Sequence, residues 1–152
     1  MRNYFRGRTL HVLDVENLVG APSFEITDVE RIATEYVRRV PLSASDHVWL
    51  ACSHHNAEAV FFGWPGSARR LLGSGPDGAD RALLEPLLTE STYERYARIV
   101  IGSGDGAFAV PGRWLATRGV HVLIASRAKS LSRQLAGHFS VVTIDGDLQK
   151  AA

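Results

Sequence analysis

The chain has 152 residues, 45% of them hydrophobic and 22% charged, with a formal net charge of +1. That size and balance fit one globular domain with an ordinary core, and they neither demand nor forbid a nucleic-acid partner. A single cysteine, Cys52, excludes an internal disulfide and any multi-cysteine zinc site, and no apolar run approaches the length of a membrane span.

Taken in chain order, residues 1–8 read as a basic extension, and Leu10 to Leu13 is too short an apolar run for a signal sequence. A cytoplasmic, reduced setting is the expectation. Residues 9–14 predict the first strand. Ile26 to Val40 follows the helical period, with Thr27 and Glu30 placed to form a capping box and Pro41 to stop the helix. His47 to Cys52 predicts a second strand that buries the Cys52 thiol, and Asn56 to Phe62 a short helix ended by Gly63-Trp-Pro-Gly66. Arg69 to Leu72 predicts a short third strand. A loop of strong breakers, Gly73 to Gly78, precedes a helix over Ala79 to Leu88, with Pro86 expected to disturb its end. A buried strand over Arg98 to Ile101, a helix over Phe108 to Arg118 and a strand over Val120 to Ala125 follow. A short helix over Leu131 to Ala136 and a last strand over Phe139 to Ile144 complete the pattern, and 146–152 reads as a polar tail. Strand and helix alternate throughout. The expected fold class is therefore α/β: one three-layer domain with a mostly parallel central sheet, spanning 9–145.

The most informative stretch is Ile99-Val-Ile-Gly-Ser-Gly-Asp-Gly-Ala-Phe108. An apolar strand ends in glycines, then an acid, then a helical pattern. That puts Asp105 at the carboxyl edge of the sheet, where open α/β folds bind ligands. Asp14 ends the first strand in the same way, with Glu16 and Asn17 beside it. Asp80 opens a helix after a glycine loop and can point into the same cleft. The same edge collects Ser53, His54, His55 and Asn56, and further along Ser126, Arg127 and Lys129. An oxygen-rich set of this kind suits magnesium or manganese rather than zinc. Each residue also has an ordinary structural reading. Asp14 and Asp105 can cap the helices that follow them, Asp80 suits a first helical turn, and Glu16 reads as a solvated loop acid. The two adjacent histidines read as loop residues, and Trp64 suits either the core or base stacking.

In order, Asp14-Val-Glu-Asn17, Gly78-Ala-Asp80, Ser103-Gly-Asp105-Gly-Ala-Phe108 and Ala125-Ser126 with Ser130-Leu-Ser132 and Leu135 resemble the NYN domain, a branch of the PIN-like ribonucleases. The resemblance covers roughly 9–145. It implies a Rossmann-like sheet in the PIN arrangement and a Mg2+- or Mn2+-dependent endoribonuclease acting on single-stranded or structured RNA. By resemblance the metal-holding acids are Asp14, Asp80 and Asp105, with Asn17 joining them in catalysis. Ser103, Ser126, Arg127 and Lys129 are then the substrate-binding residues, with Arg69, Arg70 and Arg133 as further candidates. A homodimer is the expectation for a small PIN-like domain. Many members carry a second acid two positions after the Ser-Gly-Asp acid, where this chain has Ala107. A site short of one acid favours a single metal. It also leaves open a weak or inactive domain that serves as an RNA-binding or protein-interaction module.

Two other readings fit less well. Gly102-Ser-Gly104-Asp-Gly106-Ala107 matches a dinucleotide-binding pattern, but it lies late in the chain and Asp105 would face the pyrophosphate. A haloacid-dehalogenase-like phosphatase also begins with a strand-end acid. It needs a lysine ahead of its late Gly-Asp motif, and none occurs between Ser53 and Asp105.

Overall fold

The computed structural model describes residues 7–144; the expected tail over 146–152 and most of the N-terminal extension lie outside the described residues. Six strands form one sheet, all parallel. They are β1 (Thr9–Asp14), β2 (His47–Cys52), β3 (Arg69–Leu72), β4 (Arg98–Gly102), β5 (His121–Ser126) and β6 (Ser140–Thr143). Their order across the sheet is β3-β2-β1-β4-β5-β6. The chain thus builds outward from β1 on one side, then returns to start again at β4 on the other. Between β1 and β4 the direction of winding reverses, which makes their carboxyl ends the switch point of the sheet. In register, Leu13 of β1 lies beside Gly102 of β4, so the loops that follow leave the sheet side by side.

The strands read as nearly continuous apolar runs because both of their faces are covered. Leu10, Val12, Ile99, Ile101 and Ile124 face one layer, where they meet Leu83 and Leu87 of α4 (Gly78–Thr89) and Leu115 of α6 (Ala109–Thr117). Leu13, Leu50, Val100 and Ala125 face the other. There they meet Leu18 of α1 (Val15–Val19), Ile32 and Tyr36 of α2 (Ile26–Arg39), and Val60 of α3 (Ala57–Gly63). Short helices α5 (Thr92–Arg95) and α7 (Arg133–Ala136) complete the set. Among the described residues no helix is long and apolar enough to cross a membrane.

Several local expectations need correction. The first residue of α2 is Ile26, so Thr27 lies inside the first turn; Glu25 takes the N-cap position, its N–H donating to the Asp28 carboxylate at 2.9 Å. Pro86 does not disturb α4, which continues to Thr89. The carbonyls of its last turns are taken up by the Thr89 hydroxyl on Glu85 O at 2.7 Å and the Thr92 hydroxyl on Leu87 O at 2.8 Å. The stretch after β1 is not a plain loop. It is the one-turn helix α1, capped at one end by Asp14 and closed at the other by Gly20 at φ 84°. Helix α5 was likewise absent from the sequence pattern, being a single turn long.

Candidate metal-binding cleft

Asp14 is the last residue of β1 and the N-cap of α1. Its Oδ1 accepts the Asn17 N–H at 3.2 Å, so the capping role and a place in an acidic cluster coexist in one side chain. Burial raises its pKa, the nearby charges of Glu16 and Asp105 raise it further, and hydrogen bonds with Asp80 and the Asn17 N–H partly offset the rise. Asp80 is the third residue of α4 and only 4% exposed. Its carboxyl is pushed up to about 9, first by burial and then by hydrogen bonding and repulsion from Asp14 and Asp105. Asp105 follows β4 and caps a 3-10 turn over Gly106–Phe108, its Oδ1 accepting the Ala107 N–H at 2.8 Å. The switch point thus brings together all three acids singled out in the sequence. Asp80 sits between the other two.

A fourth acid, Asp77, takes the place of Asp14 in the set whose oxygens all come within one metal ion's reach, while Asp14 touches Asp80 from the side of β1. Carboxylate oxygens of Asp77, Asp80 and Asp105 all lie within 4.8 Å of one another. Sequence reading passed over Asp77 as a loop residue. The available signal was its spacing: three positions before Asp80, at a helix start, it faces the same side one turn earlier. Two carboxylates within hydrogen-bonding reach need a proton or a cation between them, because bare anions at that distance repel. The donors are all hard oxygens, and each charged group that raises the Asp80 pKa is another carboxylate. This set can hold a metal ion, and its chemistry fits a hard divalent cation.

The surroundings hold the acids in place. Asn17 Oδ1 accepts the Gly104 N–H at 2.9 Å, tying α1 to the loop after β4. Ser103 is fully buried, and its Oγ accepts the Asp105 N–H at 3.1 Å. Ser126 is also buried, with its hydroxyl donating to Arg127 O at 2.8 Å. A Cβ on Gly104 would lie 2.3 Å from Ser126 Oγ and 2.3 Å from Ser130 O, so only glycine lets these two loops meet. Both serines therefore lie beneath the cleft with their hydroxyls engaged to backbone.

Arg127 lies across the cleft from the acids. Its Nε donates to Asn17 O at 3.1 Å, its Nη2 donates to Ser130 Oγ, and a Cβ on Gly20 would lie 2.3 Å from its Cζ. The guanidinium is thus held flat against Gly20. Arg127, Asp14, Glu16, Asn17, Asp77 and Asp80 are among the residues lining a cleft of about 390 Å³. Lys129 is exposed on the following turn, outside that lining.

Glu16 is not the solvated acid its position suggested. Its carboxylate accepts from the Ser53 N–H at 2.9 Å, the Ser53 hydroxyl at 3.0 Å and Asn56 Nδ2 at 2.6 Å, fastening the end of β2 to that of β1. His54 bonds Ser74 Oγ at 2.7 Å and His55 bonds Pro22 O at 2.6 Å, so both histidines serve as loop ties. Trp64 is 4% exposed and packs near Tyr36, which places it in the core and not at a base-stacking surface. Arg69 is paired with Glu90 at 2.7 and 2.9 Å, and Arg70 bonds the carbonyls of Ala68 and Phe61. Burial pushes the Cys52 thiol up to about 12, which leaves it inert.

No family model matches the chain, and no curated protein matches it. Among solved structures it is similar to a protein of unknown function from Vibrio parahaemolyticus, with a TM-score of 0.57 and 15% identity over 91% of this chain and 94% of that one. It is also similar to the MAR1 ribonuclease from Caenorhabditis elegans, with a TM-score of 0.47 and 14% identity over 91% of this chain and 77% of that one. The class defined by the fold is a single α/β domain of Rossmann-like form, with a six-stranded parallel sheet flanked by helices. Its distinguishing feature is a cluster of acids at the switch point, able to hold a metal ion.

Proposed function

We propose that this protein is a metal-dependent endoribonuclease of the NYN and PIN-like kind, with Asp14, Asp80 and Asp105 holding one Mg2+ or Mn2+. The observation that carries the reading is Asp80, buried between two other carboxylates at the switch point of the sheet. When bound there, a divalent ion supplies an acidified water and a charge that screens phosphate oxygens. The protein's own contribution is placement. Asn17 and Ser103 hold the Gly104-Asp105 backbone, and so aim the Asp105 carboxylate. Arg127, braced by Asn17 O and Ser130, offers its remaining N–H groups to an RNA phosphate, and exposed Lys129 adds attraction along the strand. Ser126 supports this by fixing the Arg127 backbone.

The second reading is a domain that binds RNA without cutting it. It rests on Ala107, whose exposed methyl occupies the position of an expected acid. Cleavage of a labelled single-stranded RNA in Mn2+ separates the two. Wild type should cut, and D14N and D105N should lose at least about a hundredfold in rate. Equal residual cleavage in all three would remove the carboxylates from the reaction. RNA retention by a non-cutting wild type would favour the binding module.

A further inference from the structure

We propose that Asp77 is the fourth carboxylate of this metal site, supplying from the loop before α4 the acid that Ala107 does not supply after β4. The inference rests on the metal-site reading above and names a ligand or water-holding group within it. Asp77 occupies the N-cap position of α4, where an aspartate ordinarily accepts a helix N–H, yet its side chain makes no capping hydrogen bond. Its carboxylate instead lies within 4.8 Å of those of Asp80 and Asp105. The loop is built to aim it. Gly73 and Gly78 touch so closely that a Cβ on Gly73 would lie 2.1 Å from Gly78 O, which clamps the two ends of the loop together. Between them Asp77 adopts φ 58°, ψ 21°, a left-handed conformation uncommon for a residue with a side chain.

Asp80 independently points to a ligand. It is 4% exposed, and among the described residues its carboxyl bonds only to the cluster's own acids. A buried carboxyl wedged among other carboxyls needs either a proton or a cation, and a cation can take the proton's place. Asp80 faces inward, whereas Asp77 is exposed and closes the solvent side of the same cluster. Ala107 is exposed as well and lies two positions after Asp105, whose carboxylate is within 4.8 Å of that of Asp77.

The test is Mn2+ binding, followed by the electron paramagnetic resonance of free Mn2+ and by calorimetry, without RNA. Four proteins are compared: wild type, D77N, D80N and the double variant D77N/A107D. Asparagine tolerates the left-handed conformation and preserves the loop, and matching thermal melts in chelator show that the variants fold. The expected result is a Kd for Mn2+ weakened by about tenfold in D77N, binding abolished in D80N, and affinity restored in the double variant. D77N binding Mn2+ like wild type, while D80N does not, would overturn the assignment of Asp77 and leave the three-acid site standing. A weakened D77N without recovery in the double variant would overturn the claim that the two positions serve one place. Failure of wild type to bind Mn2+ would overturn the metal-site reading itself.

Discussion

At the scale of single residues, the cleft is governed by what each side chain is already committed to. Asn17, Ser103 and Ser126 look like substrate-facing polar groups in the sequence, but the Asn17 carbonyl oxygen and both hydroxyls are engaged to backbone. Arg127 differs, because it lines the cleft and is tied to the fold through Nε and Nη2, which leaves Nη1 for a ligand. A pre-braced guanidinium loses little freedom when it takes up a phosphate. In the proposed reaction, R127A should therefore raise KM for RNA by about tenfold while changing kcat less, as steady-state kinetics would show. R127K should not restore the loss, because a lysine cannot form the fork that grips Asn17 O and Ser130. Replacing Gly20 with alanine should produce the same phenotype from the other side, since the new methyl would collide with the guanidinium. An unchanged KM in both variants would remove Arg127 from substrate binding.

At the scale of elements, the cleft is assembled by ties between strand ends rather than by any one motif. Glu16 on α1 collects three hydrogen bonds from the end of β2 and the turn after it, and Asn17 reaches the loop after β4. Removing the Glu16 carboxylate strands the Ser53 N–H in a partly buried place and leaves the Asn56 amide with Pro22 O alone. E16A should cost about 1–3 kcal/mol, read from the urea midpoint, and should lower Mn2+ affinity indirectly through Asp14. E16Q keeps the acceptor and should recover most of both. The elements also show why some of the pattern was readable and some was not. Strands β1, β2, β4 and β5 were legible because burial on both faces leaves long apolar runs. Helices α1 and α5 were not, because one turn is too short to display a period. The first residue of α2 was legible, but its N-cap was misplaced by two positions because Glu25 and Thr27 each stand three residues before an acid, and both frames fit a capping box.

At the scale of the whole molecule, two buried groups give stability opposite dependences on pH. His11 on β1 is buried between Tyr36 of α2, with Oη at 2.6 Å, and Asp46 at 3.0 Å. Burial lowers its pKa below 6.5, with Asp46 partly opposing the shift. The unfolded chain then takes up a proton that the folded one resists, so stability falls as pH drops below about 6.5. Asp80 acts in the other sense. Its carboxyl is raised from 3.8 to about 9, so the folded state holds a proton that the unfolded state gives up, and stability falls as pH climbs between those values. Thermal melts of the metal-free protein across pH should show both limbs. H11Q should flatten the acid limb, and D80N should flatten the alkaline one and raise Tm by a few degrees near pH 8. Mn2+ should also flatten the alkaline limb in wild type but not in D80N, by taking the place of the proton. A profile unaltered by D80N would show that its carboxyl is not held protonated.

Sequence alone determined the layer architecture and the three acids at strand and helix ends, because alternation of apolar runs and breakers is local and survives without a partner. The order of strands was not local. It was decided by packing, which placed β1 beside β4 and thereby turned distant acids into neighbours. Packing also decided that Glu16 and Trp64 are structural, that Arg69 is spoken for by Glu90, and that Asp77 stands beside Asp105. A side chain's chemistry is written in the chain, but its partners exist only once the surfaces that carry them have been buried together.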